Sequence, residues 1–161
     1  MDIAIVTTGG TIDKDYFDAL SEYQVVDSPL AELLKHFHVG FKFEMFPLFR
    51  KDSLELSGED RIEIHDFVAK LPHHKVLITH GSDTMIDTAK HLMDIEQKTI
   101  VLTGAIKPAR FKDSDAIFNV GVAIGAIQSL SPGCYIAMSG QLFRPDNVIK
   151  DREKMQFRSL S

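Results

Sequence analysis

Val76-Leu77-Ile78-Thr79-His80-Gly81-Ser82-Asp83-Thr84-Met85 is the stretch that decides the fold. It opens on a short, continuous apolar run. From Met85 onward, Met85, Ile86, Ala89, Leu92 and Met93 recur at helical spacing. The reading is a strand that turns directly into a helix. In open α/β sheets, sites form beyond the carboxyl ends of the strands. Gly81 permits a sharp turn there. The start of the next helix offers free N–H groups and a positive dipole end, which suit a carboxylate or an oxyanion. Ser82 and Asp83 stand side by side at that point, either as helix caps or as a pair that carries chemistry.

Working outward, Ile3-Ala4-Ile5-Val6 reads as a buried first strand, followed at once by the turn Thr7 to Ile12. Asp13 to Glu22 is polar with scattered aromatics and no period, and reads as a mobile loop. Asp27-Ser28-Pro29 starts a helix with Pro at its first position. Leu30, Leu33, Leu34 and Phe37 line one face of that helix, and Gly40 ends it. Phe41, Phe43, Met45 and Pro47 to Phe49 give a second strand. Ser57-Gly58-Glu59-Asp60 resembles a capping box with Asp in place of Glu. It opens a helix with the buried stripe Ile64, Phe67, Val68 and Leu71. Pro72 lies beyond that helix, and His73-His74 reads as a solvated loop. Lys75 to Thr79 is the third strand, and its helix runs to about Asp94. Thr99 to Leu102 is the fourth strand, closed by Thr103-Gly104. A long helix from about Asp113 is expected to bury Ile117, Val120, Ile124 and Ile127. Pro132-Gly133 leads into a fifth strand, Tyr135 to Met138. The polar tail from Gln141 has room for a short hairpin near Leu142 and Val148.

Strands alternating with helices predict an α/β domain over residues 1–161. The expected sheet is mainly parallel with helices on both faces, a Rossmann- or flavodoxin-like three-layer sandwich. Parallel strands put three hydroxyl-rich turns, Thr7 to Thr11, Thr79 to Thr84 and Thr103-Gly104, on one edge of that sheet.

Composition narrows the function. The 161 residues carry a net charge of −5 with no basic block, which argues against nucleic acid as a partner. Cys134 is the only cysteine, so neither a disulfide framework nor a cysteine metal site is expected. The seven histidines do not pair at metal-ligand spacing with another ligand. The most apolar stretch, Val120 to Ile127, is too short to span a membrane. No leader pattern follows Met1, and the cytoplasm is the expected location.

Gly9-Gly10 invites a nucleotide reading, but neither Gly-x-Gly-x-x-Gly nor a Gly-Lys-Ser/Thr ending is present. What remains is bared backbone beside a hydroxyl, Thr11. A nucleophile needs exposure, a base and donors for the oxyanion, and Thr11 is a candidate; the alternative is a turn-capping threonine. Ser82 and Asp83 would form a Ser–Lys–Asp set if a lysine reached them, with the lysine as base and the aspartate orienting it. Spacing cannot select that lysine. His80 would instead give a Ser–His–Asp set. Two residues back on the same strand end is a poor position from which to bond Ser82, so His80 reads as structural.

Thr8-Gly9-Gly10-Thr11-Ile12 and His80-Gly81-Ser82-Asp83-Thr84-Met85 together resemble the two signatures of the bacterial-type L-asparaginases. Thr103 to Pro108 with Asp115 to Asn119 is similar to a third block of that family. The resemblance implies Thr11 as the nucleophile and Tyr23, rather than Tyr16, as the assisting tyrosine. It implies Ser53 at the substrate carboxylate, Ser82 as the second hydroxyl and Asp83 at the substrate amine. It also matches the family's lysine to Lys150, which would complete a Ser82–Lys150–Asp83 set. Backbone around Gly10, Gly81 and Ser82 would hold the substrate and the oxyanion.

There are departures. Ser82 stands where the family usually has Thr. Leu54 replaces a polar residue that contacts substrate. Ala116-Ile117 replaces a usual Gly-Pro. The chain is similar to a short form with the N-terminal domain alone, and the acid that the family's second domain lends to a neighbouring subunit has no counterpart. The expectation is a cofactor-free amidohydrolase converting L-asparagine to L-aspartate and ammonia, assembled as a homodimer or a dimer of dimers. The competing expectations are a non-catalytic amino-acid-binding module, or an amidohydrolase for glutamine or a larger asparaginyl compound.

Overall fold

Apolar runs without a polar face become strands covered on both sides. In the computed structural model, which describes residues 1–17 and 22–160, the first such run is β1 (Asp2–Gly9). A single 3₁₀ turn (Thr11–Asp13) leads to β2 (Lys14–Phe17) and β3 (Glu22–Val25). Then come α1 (Leu30–His36), β4 (Lys42–Lys51), a second 3₁₀ turn (Ser53–Glu55) and α2 (Gly58–Lys70). The chain continues through β5 (Lys75–Thr79), α3 (Met85–His91), β6 (Thr99–Thr103), α4 (Ala116–Ser129), β7 (Gly133–Met138) and β8 (Gln141–Phe143). It closes with β9 (Ile149–Asp151) and β10 (Gln156–Arg158).

The main sheet has the order β4-β1-β5-β6-β7-β8. All pairs are parallel except β7–β8. The five parallel strands thus follow the flavodoxin-like order, whose winding reverses between β1 and β5. The two-residue period of the strands splits the core into two layers. Ala4, Val6, Val76, Ile78, Ile100 and Leu102 pack against α2 and α3 through Ile64, Val68, Met85 and Leu92. Ile3, Ile5, Leu77 and Val101 pack against α1 and α4 through Leu30, Leu34, Val120 and Ile127. The expected three-layer α/β sandwich is what forms.

The start of α2 follows its sequence signal. Ser57 Oγ accepts from the Asp60 amide at 3.1 Å, and the Asp60 carboxylate accepts from the Ser57 amide at 2.8 Å. Such a cap contributes about 1 kcal/mol.

Six local readings need correction. Pro29 precedes α1 instead of opening it, and α3 closes at His91, short of Asp94. Of the expected loop over 13–22, the described part is an antiparallel hairpin, with Tyr16 opposite Tyr23. The scattered aromatics there are strand formers that pair across it; residues 18–21 lie outside the described residues. In α4 the buried face is Ala116, Asn119, Val120, Ala123 and Ile127, while Ile117 is 47% exposed and Ile124 only half-buried. Small side chains let the helix lie close to the sheet, so residue size misleads about which face is inside. His74 is exposed, but the His73 ring packs edge-on to Phe46 with Nε2 3.6 Å from Glu44. Finally, Leu142 lies in β8 of the main sheet, and the tail hairpin is β9–β10.

Candidate active site

The winding reversal between β1 and β5 leaves a crevice at their carboxyl ends, and glycines let three segments meet there. The β1–β4 register slips between Thr7 and Gly9. Gly9 and Gly10 then turn with φ of 97° and 83°, the left-handed region that glycine tolerates. The Gly10 amide donates to Lys51 O at 2.9 Å. A Cβ on Gly10 would overlap the backbone of Gly81, and one on Gly81 would overlap the Ser53 side chain. The turns that carry Thr11, Ser53 and Ser82-Asp83 are therefore in direct contact. Further bonds fix them: Thr8 Oγ1 donates to Thr79 O at 2.9 Å and Thr84 Oγ1 to Ser53 O at 2.7 Å. The Asp52 carboxylate caps its 3₁₀ turn by accepting from the Leu54 amide at 3.1 Å.

The third turn is held from α4. The Asp115 carboxylate accepts from the amides of Ile106 and Lys107 at 3.0 Å, and Asn119 Nδ2 donates to Gly104 O at 3.0 Å. The third sequence block thus braces the rim.

No side chain caps α3. Ser82 and Asp83 are instead bound by a lysine from the far end of the chain. Lys150 Nζ donates to Ser82 Oγ and to Asp83 Oδ1, each at 2.8 Å. Lys150 lies directly opposite Phe157 in the β9–β10 pair, and cross-strand partners share a face. Phe157 is buried in the main core, so the same face carries Lys150 inward. Arg152 Nη1 also donates to Asp83 Oδ1, at 2.8 Å. The hydrogen bond from Lys150 holds the Asp83 carboxyl below the usual range against partial burial, and the charges of Lys150 and Arg152 add to that. Asp83 is a carboxylate bearing two cations on one oxygen.

His80 is not part of this set. Its ring is fully buried, with Nδ1 2.8 Å from Gly81 O and Nε2 2.8 Å from Thr88 Oγ1. Burial pushes its pKa down to about 4, so the imidazole is neutral and both nitrogens are engaged.

Thr11 and Tyr23 border one open cleft, shared with Lys14, Lys107, Phe111 and Asp113. Tyr23 is 51% exposed, and its ring lies 5.1 Å from Tyr16 and 5.9 Å from Phe111. Lys14 pairs with Asp52 at 2.6 Å. Burial acts to raise the Asp52 carboxyl, but the bonds from Lys14 and the Leu54 amide outweigh it and hold the pKa low. Leu54 projects outward at 69% exposure. Gly10, Gly81, Ser53, Ser82, Asp83 and Lys150 thus form one contact network, with Thr11 next to Gly10 and Tyr23 reaching Thr11's cleft from a separate hairpin.

Sequence reasoning missed three features. Arg152 was legible as the second cation at period two from Lys150. The Lys14–Asp52 pair joins residues 38 apart and has no local signal. Asp13 is buried beside the Gly10–Thr11 turn; burial pushes its pKa up to about 6, and a hydrogen bond with Ser28 limits the rise. A separate apolar cavity of about 280 Å³ lies between α1 and α4, bordered by Leu33, Phe37, Val120 and Ile124, with no titratable lining residue. Among the described residues no group of three His, Cys, Asp or Glu side chains is placed to hold a metal ion, and no helix is long and apolar enough to cross a membrane.

The L-asparaginase of Thermococcus kodakarensis is 29% identical over 160 residues, which cover 93% of this chain and 48% of that protein. Its solved structure superposes with a TM-score of 0.82 at 24% identity, over 99% of this chain and 51% of that one. A glutaminase-asparaginase of Acinetobacter glutaminasificans is 31% identical, over 92% of this chain and 49% of its own. The structure of a probable cytoplasmic L-asparaginase from Campylobacter jejuni matches with a TM-score of 0.76 and 26% identity, over 98% of this chain and 51% of that one. The chain therefore spans about half the length of the curated relatives it matches. Residues 2–157 match the family model described as asparaginase, N-terminal, and with its signature turns converging at the β1–β5 crevice the chain belongs to the asparaginase family.

Proposed function

We propose that this domain hydrolyses the side-chain amide of L-asparagine to L-aspartate and ammonia. The observation that carries the reading is Lys150 Nζ, bonded at once to Ser82 Oγ and Asp83 Oδ1 at the turn that touches Gly10, the residue before Thr11. In the proposed reaction Thr11 Oγ1 attacks the amide carbon as its proton passes by way of Ser82 Oγ toward the departing amide nitrogen, while the Lys150 ammonium, donating to Ser82 Oγ, stabilises the negative charge that builds there. Ammonia leaves with a returned proton, and water then cleaves the threonyl ester. Backbone N–H groups of the Gly10 and Gly81–Ser82 turns face the oxyanion. Ser53 and Asp83 take the amino-acid head group, Leu54 borders it, and Tyr23 assists proton transfer from the cleft. No cofactor enters these steps.

Glutamine is the second candidate substrate, since one relative is named a glutaminase-asparaginase. The domain over 1–161 is proposed to assemble as a homodimer or a dimer of dimers. The exposed Phe37, Ile117 and Phe118 are apolar surface that a second copy would cover. The proposed location is the cytoplasm, in line with the probable cytoplasmic L-asparaginase of C. jejuni. Ammonia release from a panel of amides tests the activity. Thr11→Ala is expected to lower turnover at least about a thousandfold with the fold intact; near-normal activity in that variant would sink the assignment.

A further inference from the structure

Asp83 is already bound to two cations. Lys150 and Arg152 both donate to its Oδ1 at 2.8 Å. Asp52, an acid that Asp83 acts on electrostatically, is paired with Lys14 at 2.6 Å. A free α-ammonium arriving at Asp83 would be a third positive group on one carboxylate, and like charges at such range repel. A secondary amide meets the same pair without that conflict. Its neutral N–H donates to the carboxylate without adding a charge, and, the amide being trans, its carbonyl oxygen lies on the opposite side, away from that ion pair. Arg152 is 66% exposed, which leaves donors free for an incoming group. Leu54 adds exposed apolar surface on the neighbouring turn, its amide bonded to Asp52.

We infer that Arg152 fits this site to asparaginyl amides whose α-nitrogen is acylated, as in an N-acyl-asparagine or a peptide, in preference to free asparagine. The inference rests on the amidohydrolase reading for its substrate class, but the recognition step stands apart from turnover. Arg152 is thus a specificity-determining residue of the Asp83 subsite.

The test compares L-asparagine with N-acetyl-L-asparagine on the full chain. The readouts are kcat/KM in the wild type and Arg152→Met, and Kd by calorimetry in Thr11→Ala with and without Arg152→Met. The wild type should favour the acetylated amide by about tenfold or more, and Arg152→Met should move the ratio about tenfold toward free asparagine. Arg152 lies in an exposed turn, so the variant keeps its fold, as circular dichroism will check. A preference for free asparagine, or a ratio unmoved by Arg152→Met, overturns the inference. Should neither amide release ammonia, the amidohydrolase reading falls, and the Kd ratios alone decide the role of Arg152. Absence of binding by either compound also overturns it.

Discussion

Two small hairpins stand off the main sheet, similar in size and held in opposite ways. The hairpin β9–β10 brings Lys150 to Ser82 and Asp83, and it is fixed from beneath. Phe157 and Val148 enter the main core, and the Phe157 amide donates to Ser139 Oγ at 3.1 Å. The hairpin β2–β3 brings Tyr23 to the cleft of Thr11, and it is fixed from the side. Its Tyr16, Phe17 and Tyr23 are all substantially exposed. Its ties include the Lys14–Asp52 pair, the Arg110–Asp15 pair at 3.6 Å, the bond from the Val26 amide to Asp13 O at 3.0 Å, and three aromatic rings in a row. Buried apolar area is the dominant stabilising term, so the lysine hairpin belongs to the core and the tyrosine hairpin is an arm laid against it. The lesson is that the Ser82–Lys150–Asp83 cluster is set before any ligand arrives, whereas the position of Tyr23 rests on few contacts.

The severest way to break this contrast is to cut the anchor under Lys150. Phe157→Ala removes a fully buried ring and should cost about 3–5 kcal/mol of stability. Activity should fall with it even in the folded fraction, because Lys150 loses its register. The counterpart on the other arm, Tyr16→Ala, should cost under about 1 kcal/mol. Urea denaturation of the two variants measures both; equal losses would erase the distinction between the hairpins.

The base of the tyrosine arm gives the next effect. Asp13 sits there, buried, with one carboxylate oxygen lacking a hydrogen-bond partner. Its pKa rises from 3.8 to about 6, chiefly through burial. Between those values the folded chain holds a proton that the unfolded chain has released, so stability falls as pH rises through that window and the full penalty stands above it. The rise corresponds to at most about 3 kcal/mol. Asp13→Asn should therefore stabilise the protein at pH 8, with the gain shrinking toward pH 4. Melting curves at the two pH values check it, and a gain independent of pH would refute the assignment to Asp13.

Within the preset cluster, Lys150→Met and Ser82→Ala should each lower the rate on the order of a hundredfold. Combined, they should lose little more than the worse single change. Steady-state kinetics of the three variants decide this. Fully additive losses would mean that the two side chains do not act as one unit.

How much of this was legible depends on the range of each signal. Val76 to Met85 declares its strand, turn and helix locally, since an apolar run, a glycine and a 3.6 period lie within ten residues of one another. The three-layer sandwich follows from repeating that pattern. The touching of Gly10 and Gly81 does not, because it depends on β1 lying next to β5, a fact of topology. Lys150 was reachable only through family resemblance, for its register opposite Phe157 is set by a hairpin that a polar tail hardly advertises. The β2–β3 hairpin was missed because its strands are four residues long and exposed, so no buried face imposes alternation. In α4 the error was physical: Ala116 and Ala123 face the sheet because they are small, while Ile117 is left outside.

The smallest effect probes the arm most directly. Tyr23→Phe removes only the hydroxyl, leaving the ring against Tyr16 and Phe111. The side chain is half exposed, so its hydroxyl has water as a partner and stability should not change within about 0.5 kcal/mol. If the hydroxyl takes part in proton transfer at Thr11, turnover should nonetheless fall by about tenfold or more. The loss should appear in kcat with KM little altered, because a residue on a thinly packed arm acts after the substrate is held by the rigid turns. Tyr16→Phe, across the same hairpin, supplies the control: its hydroxyl does not border the Thr11 cleft, and its rate should stay normal. A Tyr23→Phe variant with unchanged kcat would remove the arm from the proposed chemistry and confine it to the turns at the sheet edge and Lys150.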